Sequence, residues 1–144
     1  MSNRSSLFSL ISPVRFTHTD PAGYVFFPRY FEMFQAVVEE WFSTALGLKY
    51  ADLIIGRRLG TPTATIQCSF MKPSRLGDSL TITVHLDHLG TSSFRLRFRG
   101  SVDGDLRLEA VSTLVMIDLD DGRSRPIPAD LRTRMERYAE LGAG

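Results

Sequence analysis

The sequence predicts an α+β fold in which one long apolar helix is wrapped by a curved antiparallel sheet of five or more strands. Three observations support this prediction: one stretch of helical periodicity near the N terminus, four consecutive stretches of alternating apolar and polar residues after it, and short turns between those stretches. The 144 residues contain no linker and no internal repeat, so residues 1–144 are interpreted as one domain.

The N-terminal part of the chain predicts a strand and then the helix. Apolar residues alternate between Leu7 and Thr17, which predicts a first strand with Pro13 at an edge or a bulge. After Pro28 the apolar period becomes helical and continues to about Gly47. Only a narrow polar stripe interrupts this helix, so we expect protein to enclose most of it.

Four half-buried strands follow the helix, and a short helix opened by Pro128 ends the chain. Their alternating patterns span residues 63–70, 79–86, 94–99 and 106–110. The segment 111–117 is apolar on both faces, which indicates either a central strand or a subunit contact. A flat sheet would leave most sides of the first helix exposed, so the sheet must curve around it, as in the hotdog fold.

Composition and charge exclude several classes of protein. The formal net charge of +1 gives no basis for binding nucleic acid or a membrane surface. The single cysteine, Cys68, cannot form an intrachain disulfide, and no stretch has the length of a membrane span or of an intact signal peptide. We therefore expect a cytoplasmic protein.

One segment carries a resemblance to a known family. Residues 16–30 read FTHTDPAGYVFFPRY, and this resembles the motif of the 4-hydroxybenzoyl-CoA thioesterase family, in the branch that hydrolyses aromatic acyl-CoA. The stretch from Gly60 through Thr61 and Pro62 to Phe70 is similar to the same branch. The resemblance implies the hotdog fold, homodimers joined edge to edge that pair into homotetramers, active sites between subunits, and no metal or organic cofactor.

The resemblance also implies two catalytic groups: the carboxylate of Asp20 and the backbone N–H of Phe27. The residues make chemical sense, because a thioester carbonyl under attack becomes an oxyanion that needs preorganised donors, and the first amides of a helix have no partner within it. Gly23 lets the loop backbone approach a ligand. Asp20 would act as nucleophile or as general base. The structural alternative for Asp20 is an Asx-turn.

Further substrate-binding candidates are less specific. Tyr24 and Tyr30 could offer phenols to an acyl pocket, and Gln35 stands where relatives often place a carboxylate. Thr61 and Pro62 are candidates from the resemblance, and Thr91 and Ser92 are candidates because of their hydroxyl groups.

The turn at residues 89–93 carries no positive charge, whereas the family has an Arg/Lys cluster there that grips the phosphates of CoA. The arginines Arg95, Arg97 and Arg99 could replace that cluster, or they form a solvated strand face. The histidines show no metal-binding spacing: His18 is expected at a strand end or in a supporting position behind the site, and His85 and His88 on a polar face.

The predicted function is hydrolysis of acyl-CoA thioesters, aromatic such as hydroxybenzoyl-CoA or short acyl, to free acid and CoA. CoA is then part of the substrate, and no cofactor is expected. Two alternatives stay open: a thioesterase for acyl carrier protein, and a non-catalytic acyl-CoA binding module. A hotdog dehydratase is disfavoured, because the helix lacks the paired histidine and acid that such a site needs.

Overall fold

A five-stranded antiparallel sheet curved around one helix forms the fold, which confirms the predicted class. The computed structural model describes residues 6–142. Its strands and helices are β1 (Ser9–Pro13), α1 (Arg29–Glu40), β2 (Leu59–Gly60), β3 (Thr63–Phe70), β4 (Ser79–Leu89), β5 (Ser93–Val102), β6 (Asp105–Val115), β7 (Ile117–Asp118) and α2 (Ala129–Leu141). The sheet order is β1-β4-β5-β6-β3, and every neighbouring pair is antiparallel.

The helix α1 lies on the inner face of the sheet and supplies much of the core. Alternation along β4, β5 and β6 directs their apolar side chains toward it, so that Leu80, Ile82, Leu96, Phe98 and Leu108 are all buried. The helix continues beyond Glu40 into a π-helical turn, Trp41–Ala45, and the chain then reverses at Gly47 with a φ of +74°. The predicted helix and the four predicted strands are confirmed.

The first strand is shorter than predicted. β1 covers only Ser9–Pro13, whereas the pattern predicted about Leu7 to Thr17. Pro13 lies on the edge strand with its nitrogen facing away from β4, the last ladder bond runs from the N–H of Val14 to the carbonyl of Asp78 at 2.8 Å, and Phe16–His18 form a 3-10 turn instead. The imidazole Nδ1 of His18 accepts the backbone N–H of Arg15 at 2.9 Å, which closes this turn. The alternation in this segment therefore overextended the strand.

Two further features were missed by the periodicity. A π-helical turn, Asp52–Gly56, follows α1, and the two-residue strands β2 and β7 pair with each other outside the main sheet. Segments this short leave too few residues for a period to be recognised. For the segment 111–117, the alternative of a central strand holds for residues 111–115, because they belong to β6, which lies between β5 and β3.

The C-terminal helix α2 fastens the N-terminal strand to the sheet. The hydroxyl of Tyr138 donates to the carbonyl of Val84 and accepts the N–H of Phe8, both at 2.7 Å. Leu131 and Met135 of the same helix are fully buried. Within residues 6–142, neither this helix nor any other has the length and apolar character needed to cross a membrane.

Candidate active site

Asp20 lies in a tight hairpin that leads into α1. The N–H of Asp20 donates to the carbonyl of Tyr24 at 2.9 Å, and the N–H of Phe26 donates to that of His18 at 2.7 Å. Gly23 closes the turn with a φ of +85°, a conformation that residues with a Cβ rarely adopt. The sequence thus fixes the position of Asp20 through backbone geometry.

The carboxylate of Asp20 is oriented by one of its two oxygens. Oδ1 accepts the N–H of Ala22 at 2.9 Å and that of Tyr24 at 3.2 Å, so the Asx-turn considered as the structural alternative is present. Among the hydrogen bonds of residues 6–142, none uses Oδ2. The half-buried side chain lines a largely apolar cleft of about 440 Å³ with Phe16 and Leu76. The turn and a free carboxylate oxygen therefore coexist.

The start of α1 holds an amide without a partner. The N–H groups of Val25 and Phe26 donate to Ser74 and His18, and that of Arg29 donates back to Phe26. The N–H of Phe27 donates to no acceptor within the described part of the chain. Phe27 directly precedes Pro28, the cap of the helix, where the helix dipole is positive. This amide is suited to bind an anionic oxygen.

A second cleft, of about 280 Å³, adjoins Phe27 and includes Val25, Tyr30 and Phe70. Asp20 borders the first cleft and Phe27 the second, and both residues belong to one hairpin, which the hydrogen bond from the N–H of Phe26 to the carbonyl of His18 closes. Tyr30 is buried beside Ser74, and its burial raises the pKa of the phenol above the ordinary value, so the hydroxyl stays protonated at neutral pH. Tyr24, by contrast, is 41% exposed.

A third cavity, of about 270 Å³, lies between α1 and the sheet. Its walls are mostly aromatic and aliphatic, with Phe31 and Phe34 from the helix and Ile66 and Phe98 from the strands. Gln35 lies at this cavity and is exposed, so the structure brings this candidate close to an apolar pocket. The ring of Phe31 contacts that of Phe27 at 5.4 Å between centroids, which links this cavity to the helix start.

Arg107, which the sequence did not single out, anchors the hairpin of Asp20 from the outside. Its guanidinium donates to the carbonyl of Pro73 at 3.0 Å and contacts the carboxylate of Asp78 at 3.2 Å, with only 17% of the side chain exposed. The loop held in this way pairs with the hairpin, because Ser74 accepts the N–H of Val25 and Leu76 donates to Gly23. Because Arg107 is far in sequence from Pro73 and Asp78, no local sequence pattern predicted this contact.

The remaining candidates, Thr61, Pro62, Thr91 and Ser92, do not line the cleft of Asp20. The hydroxyl of Thr61 pairs with that of Tyr50 at 3.3 Å, and Pro62 follows it at the surface. Thr91 and Ser92 lie at the β4–β5 turn. The guanidinium of Arg132, on α2, donates to the carbonyl of Thr91 at 3.2 Å and to that of Gly90. A positive charge therefore reaches the turn that has none of its own.

The arginine row on β5 is largely paired with acids of neighbouring strands. Arg97 bonds Asp87 at 2.9 Å, and Arg99 contacts Glu109 at 3.3 Å. These pairs favour the interpretation of a solvated strand face. His85, on the same face, has a pKa lowered by burial and by nearby Arg97, so it is neutral at pH 7. No group of three or more possible metal ligands occurs within residues 6–142.

Comparison with known proteins identifies the family of this chain. The family model of the thioesterase-like superfamily matches residues 14–135. A 1,4-dihydroxy-2-naphthoyl-CoA hydrolase of Acaryochloris marina is 28% identical over 129 residues, which cover 88% of this chain and 93% of the relative. A hydrolase of the same name from Thermosynechococcus vestitus is 29% identical and covers 88% of this chain and 90% of its own length.

Solved structures share the fold over most of the chain. A gentisyl-coenzyme A thioesterase superposes with a TM-score of 0.79 at 26% identity, covering 87% of this chain and 99% of that structure. A Staphylococcus aureus protein solved in complex with CoA reaches a TM-score of 0.88 at 18% identity, over 96% of this chain and 87% of its own; at this identity the likeness concerns the fold alone.

Proposed function

The chain belongs to the thioesterase-like superfamily, and on that premise we propose that it cleaves aromatic acyl-CoA thioesters, with Asp20 and the Phe27 amide as its catalytic groups. It is an acyl-CoA thioester hydrolase; the proposal adds the acyl class and the residue roles. One observation carries these roles: Asp20 is oriented through Oδ1 and keeps Oδ2 available, in a hairpin that ends at an amide without a partner.

The proposed reaction uses these two groups at the thioester carbonyl. Oδ2 attacks the carbonyl carbon, the carbonyl oxygen gains the negative charge, and the Phe27 N–H stabilises it. The carbon–sulfur bond then breaks, CoA leaves as thiolate with the electron pair, and water hydrolyses the mixed anhydride to the free acid. In the general-base route, Oδ2 instead takes a proton from the water that attacks the same carbon. Both routes require the same carboxylate and amide.

Arg132 supports CoA as the thiol carrier. The alternative of an acyl carrier protein came from the absence of positive charge at the β4–β5 turn, and Arg132 supplies a guanidinium there. Arginine binds phosphate oxygens through charge-assisted hydrogen bonds, and the hydroxyls of Thr91 and Ser92 could add to them.

The cytoplasmic location expected from the sequence stays a prediction.

We expect two chains to associate through β3. This edge strand pairs only with β6 within the described residues, and apolar side chains are exposed at its end, with Phe70 at 39% and Met71 at 49%. An unpaired, exposed edge is a template for another strand. Such a dimer would set the cleft of Phe27, which includes Phe70 and Met71, against the partner subunit; the pairing of dimers into a tetramer stays a prediction.

The catalytic proposal is tested with Asp20→Asn and a panel of acyl-CoAs, with release of CoA followed by a thiol reagent. Asparagine keeps an oxygen for the N–H groups of Ala22 and Tyr24, so the hairpin should persist while the carboxylate is lost. We expect kcat to fall about 10²- to 10⁴-fold. The matched control is Asp52→Asn, because Asp52 is exposed and lies in the separate turn Asp52–Gly56.

Thiol release that is equal in Asp20→Asn and the wild type would refute the role of Asp20. Failure of the wild-type protein to release CoA from any thioester, while it still binds them, would favour the acyl-CoA binding module.

The association through β3 is tested with Gln67→Lys. Gln67 is exposed near the middle of β3, so antiparallel pairing of two copies would bring the two lysines close to each other. Like charges facing each other across a strand pair destabilise it. Light scattering should report a dimer or larger assembly for the wild type and a shift toward monomer for the variant. A wild-type monomer at working concentration would contradict the proposal.

A further inference from the structure

Ser112 is a polar residue in an apolar position. It lies on β6, opposite Leu96 of β5 and Ile66 of β3, and points to the inner face of the sheet with only 2% of its surface exposed. The residues two positions before and after it on the same face, Ala110 and Leu114, are buried and apolar. The pattern of β6 would be satisfied by another apolar residue here.

The hydroxyl of Ser112 makes no hydrogen bond to any residue in the described range 6–142. Ser112 lines the cavity between α1 and the sheet, and its oxygen is not among the fully enclosed side-chain atoms without a partner. The hydroxyl is therefore accessible from the cavity. A buried polar group without a partner lowers stability and needs an explanation, which a ligand in the cavity would provide.

The cavity fits an aromatic group with a neutral polar substituent. Apolar cavities of about 150 Å³ bind benzene, so a volume of about 270 Å³ accommodates one ring or two fused rings. The rings of Phe34 and Phe98 stack nearly parallel at 5.1 Å between centroids, and both residues line the cavity. No lysine or arginine among residues 6–142 lines the cavity, so a charged substituent would lose its hydration without gaining a partner there.

The position of the cavity connects it to the proposed reaction. Phe31, one of its walls, has its ring 5.4 Å from that of Phe27, which directly precedes the cap of the helix. A ring held in the cavity would therefore extend its thioester toward the start of α1. We propose that this cavity binds the ring of a hydroxylated aromatic acyl group, and that Ser112 determines specificity by hydrogen-bonding a ring hydroxyl. The inference rests on the proposed function.

The test compares Ser112→Ala with the wild type on benzoyl-CoA and on the 2-, 3- and 4-hydroxybenzoyl-CoAs. In the wild type, kcat/KM should be higher for at least one hydroxylated substrate than for benzoyl-CoA. Ser112→Ala should reduce that preference about ten- to a hundredfold, and should leave benzoyl-CoA within about twofold of the wild type. Thr113→Val is the control, because Thr113 is the next residue of β6 and faces the outer side of the sheet.

Stability provides a second measurement: Ser112→Ala should lower the preference for hydroxylated substrates but should not lower the stability of the fold. Because the hydroxyl has no hydrogen-bond partner in the described part of the chain, its removal should leave the urea midpoint unchanged or raise it. An unaltered preference for hydroxylated substrates in Ser112→Ala, or a marked fall in its urea midpoint, would overturn the proposal.

A measurement of binding distinguishes the proposal for Ser112 from the proposal that Asp20 is catalytic. Calorimetric titration with 4-hydroxybenzoyl-CoA and benzoyl-CoA in the Asp20→Asn background measures the cavity without turnover. Loss of the binding preference on adding Ser112→Ala would support the cavity even if Asp20 proved not to be catalytic. An equal affinity for both thioesters in that background, together with full dependence of activity on Asp20, would defeat this inference alone.

Discussion

The two ends of α1 are built differently. At its C-terminal end, Trp41 and Phe42 are fully buried, and the ring of Trp41 contacts those of Phe94 at 6.1 Å and Tyr138 at 5.5 Å. At its N-terminal end, Phe27 remains 52% exposed and Phe31 38% exposed. One helix thus has a closed end, packed against the sheet and α2, and an open end bordered by clefts.

The difference separates residues that stabilise the fold from residues that are available to a ligand. Burial of apolar area is the main favourable contribution to folding, and the closed end uses it fully. At the open end, aromatic rings are exposed to solvent and one amide has no partner among the described residues. These exposed groups contribute little to the stability of the fold. A substrate or a second subunit would bury these groups. The comparison therefore makes predictions about both ends.

The sharpest contrast should come from removing one aromatic side chain at each end. Trp41→Ala should lower the free energy of unfolding by about 3–5 kcal/mol, because it leaves a large cavity in a packed core. Phe31→Ala should lower it by only about 1 kcal/mol, since the ring is partly exposed already. Urea unfolding of both variants measures the difference. Equal losses would show that the open end is as important for the fold as the closed one.

Arg107 tests whether the open end has its own stabilising contacts. Arg107→Met should lower the free energy of unfolding by about 1.5–3 kcal/mol, because the guanidinium donates to Pro73 and to the carboxylates of Asp78 and Asp105. The loosening should be local. Hydrogen exchange should accelerate at the amides of Val25 and Leu76, which bond across the hairpin and the loop.

Arg99→Met is the matched control for Arg107, because Arg99 is also paired with an acid but is 46% exposed on the outer sheet face. Exchange at Val25 and Leu76 should be unaffected in this variant. Equal acceleration in both variants would mean that general destabilisation, and not the anchor, sets the mobility of the hairpin.

The closed end was predictable from the sequence and the open end only in part. A helical period that includes Trp41, and strict alternation in β4 to β6, are repeated signals that tertiary packing reinforces. The single hairpin containing Asp20 has no period. It was recognised through its resemblance to a family motif and through the glycine at position 23.

The features that escaped prediction depend on contacts between distant residues. Arg132 reaches the β4–β5 turn from α2, and Arg107 reaches the loop before β4 from β6. Contacts between residues so far apart in sequence leave no local pattern. Ser112 did leave one, because it is the polar residue at an inward position between Ala110 and Leu114. The proposed role of Ser112 could be recognised only from the structure, which shows that it lines a cavity.

Cys68 provides the finest test of the open end, since it lies on the inner side of β3 near Tyr30. Burial raises the pKa of this thiol to about 11. A raised thiol pKa keeps the group protonated, so at pH 8 the thiolate fraction is about a hundredfold smaller than for an unperturbed cysteine. The reaction with a thiol reagent should be slower by about that factor, should accelerate about tenfold per pH unit up to about pH 10, and should level off above the thiol pKa of about 11. Stopped-flow absorbance in the absence of substrate measures it, with Cys68→Ser as the blank.

The same thiol distinguishes burial within one chain from burial by a second one. If burial within one chain accounts for the slow reaction, Gln67→Lys should react at the wild-type rate even when it is monomeric. If the partner's strand covers Cys68 as well, the monomeric variant should react faster at every pH. A wild-type thiol that reacts as quickly as free cysteine at pH 8 would contradict both, because the open end would then leave β3 in contact with water along its inner face.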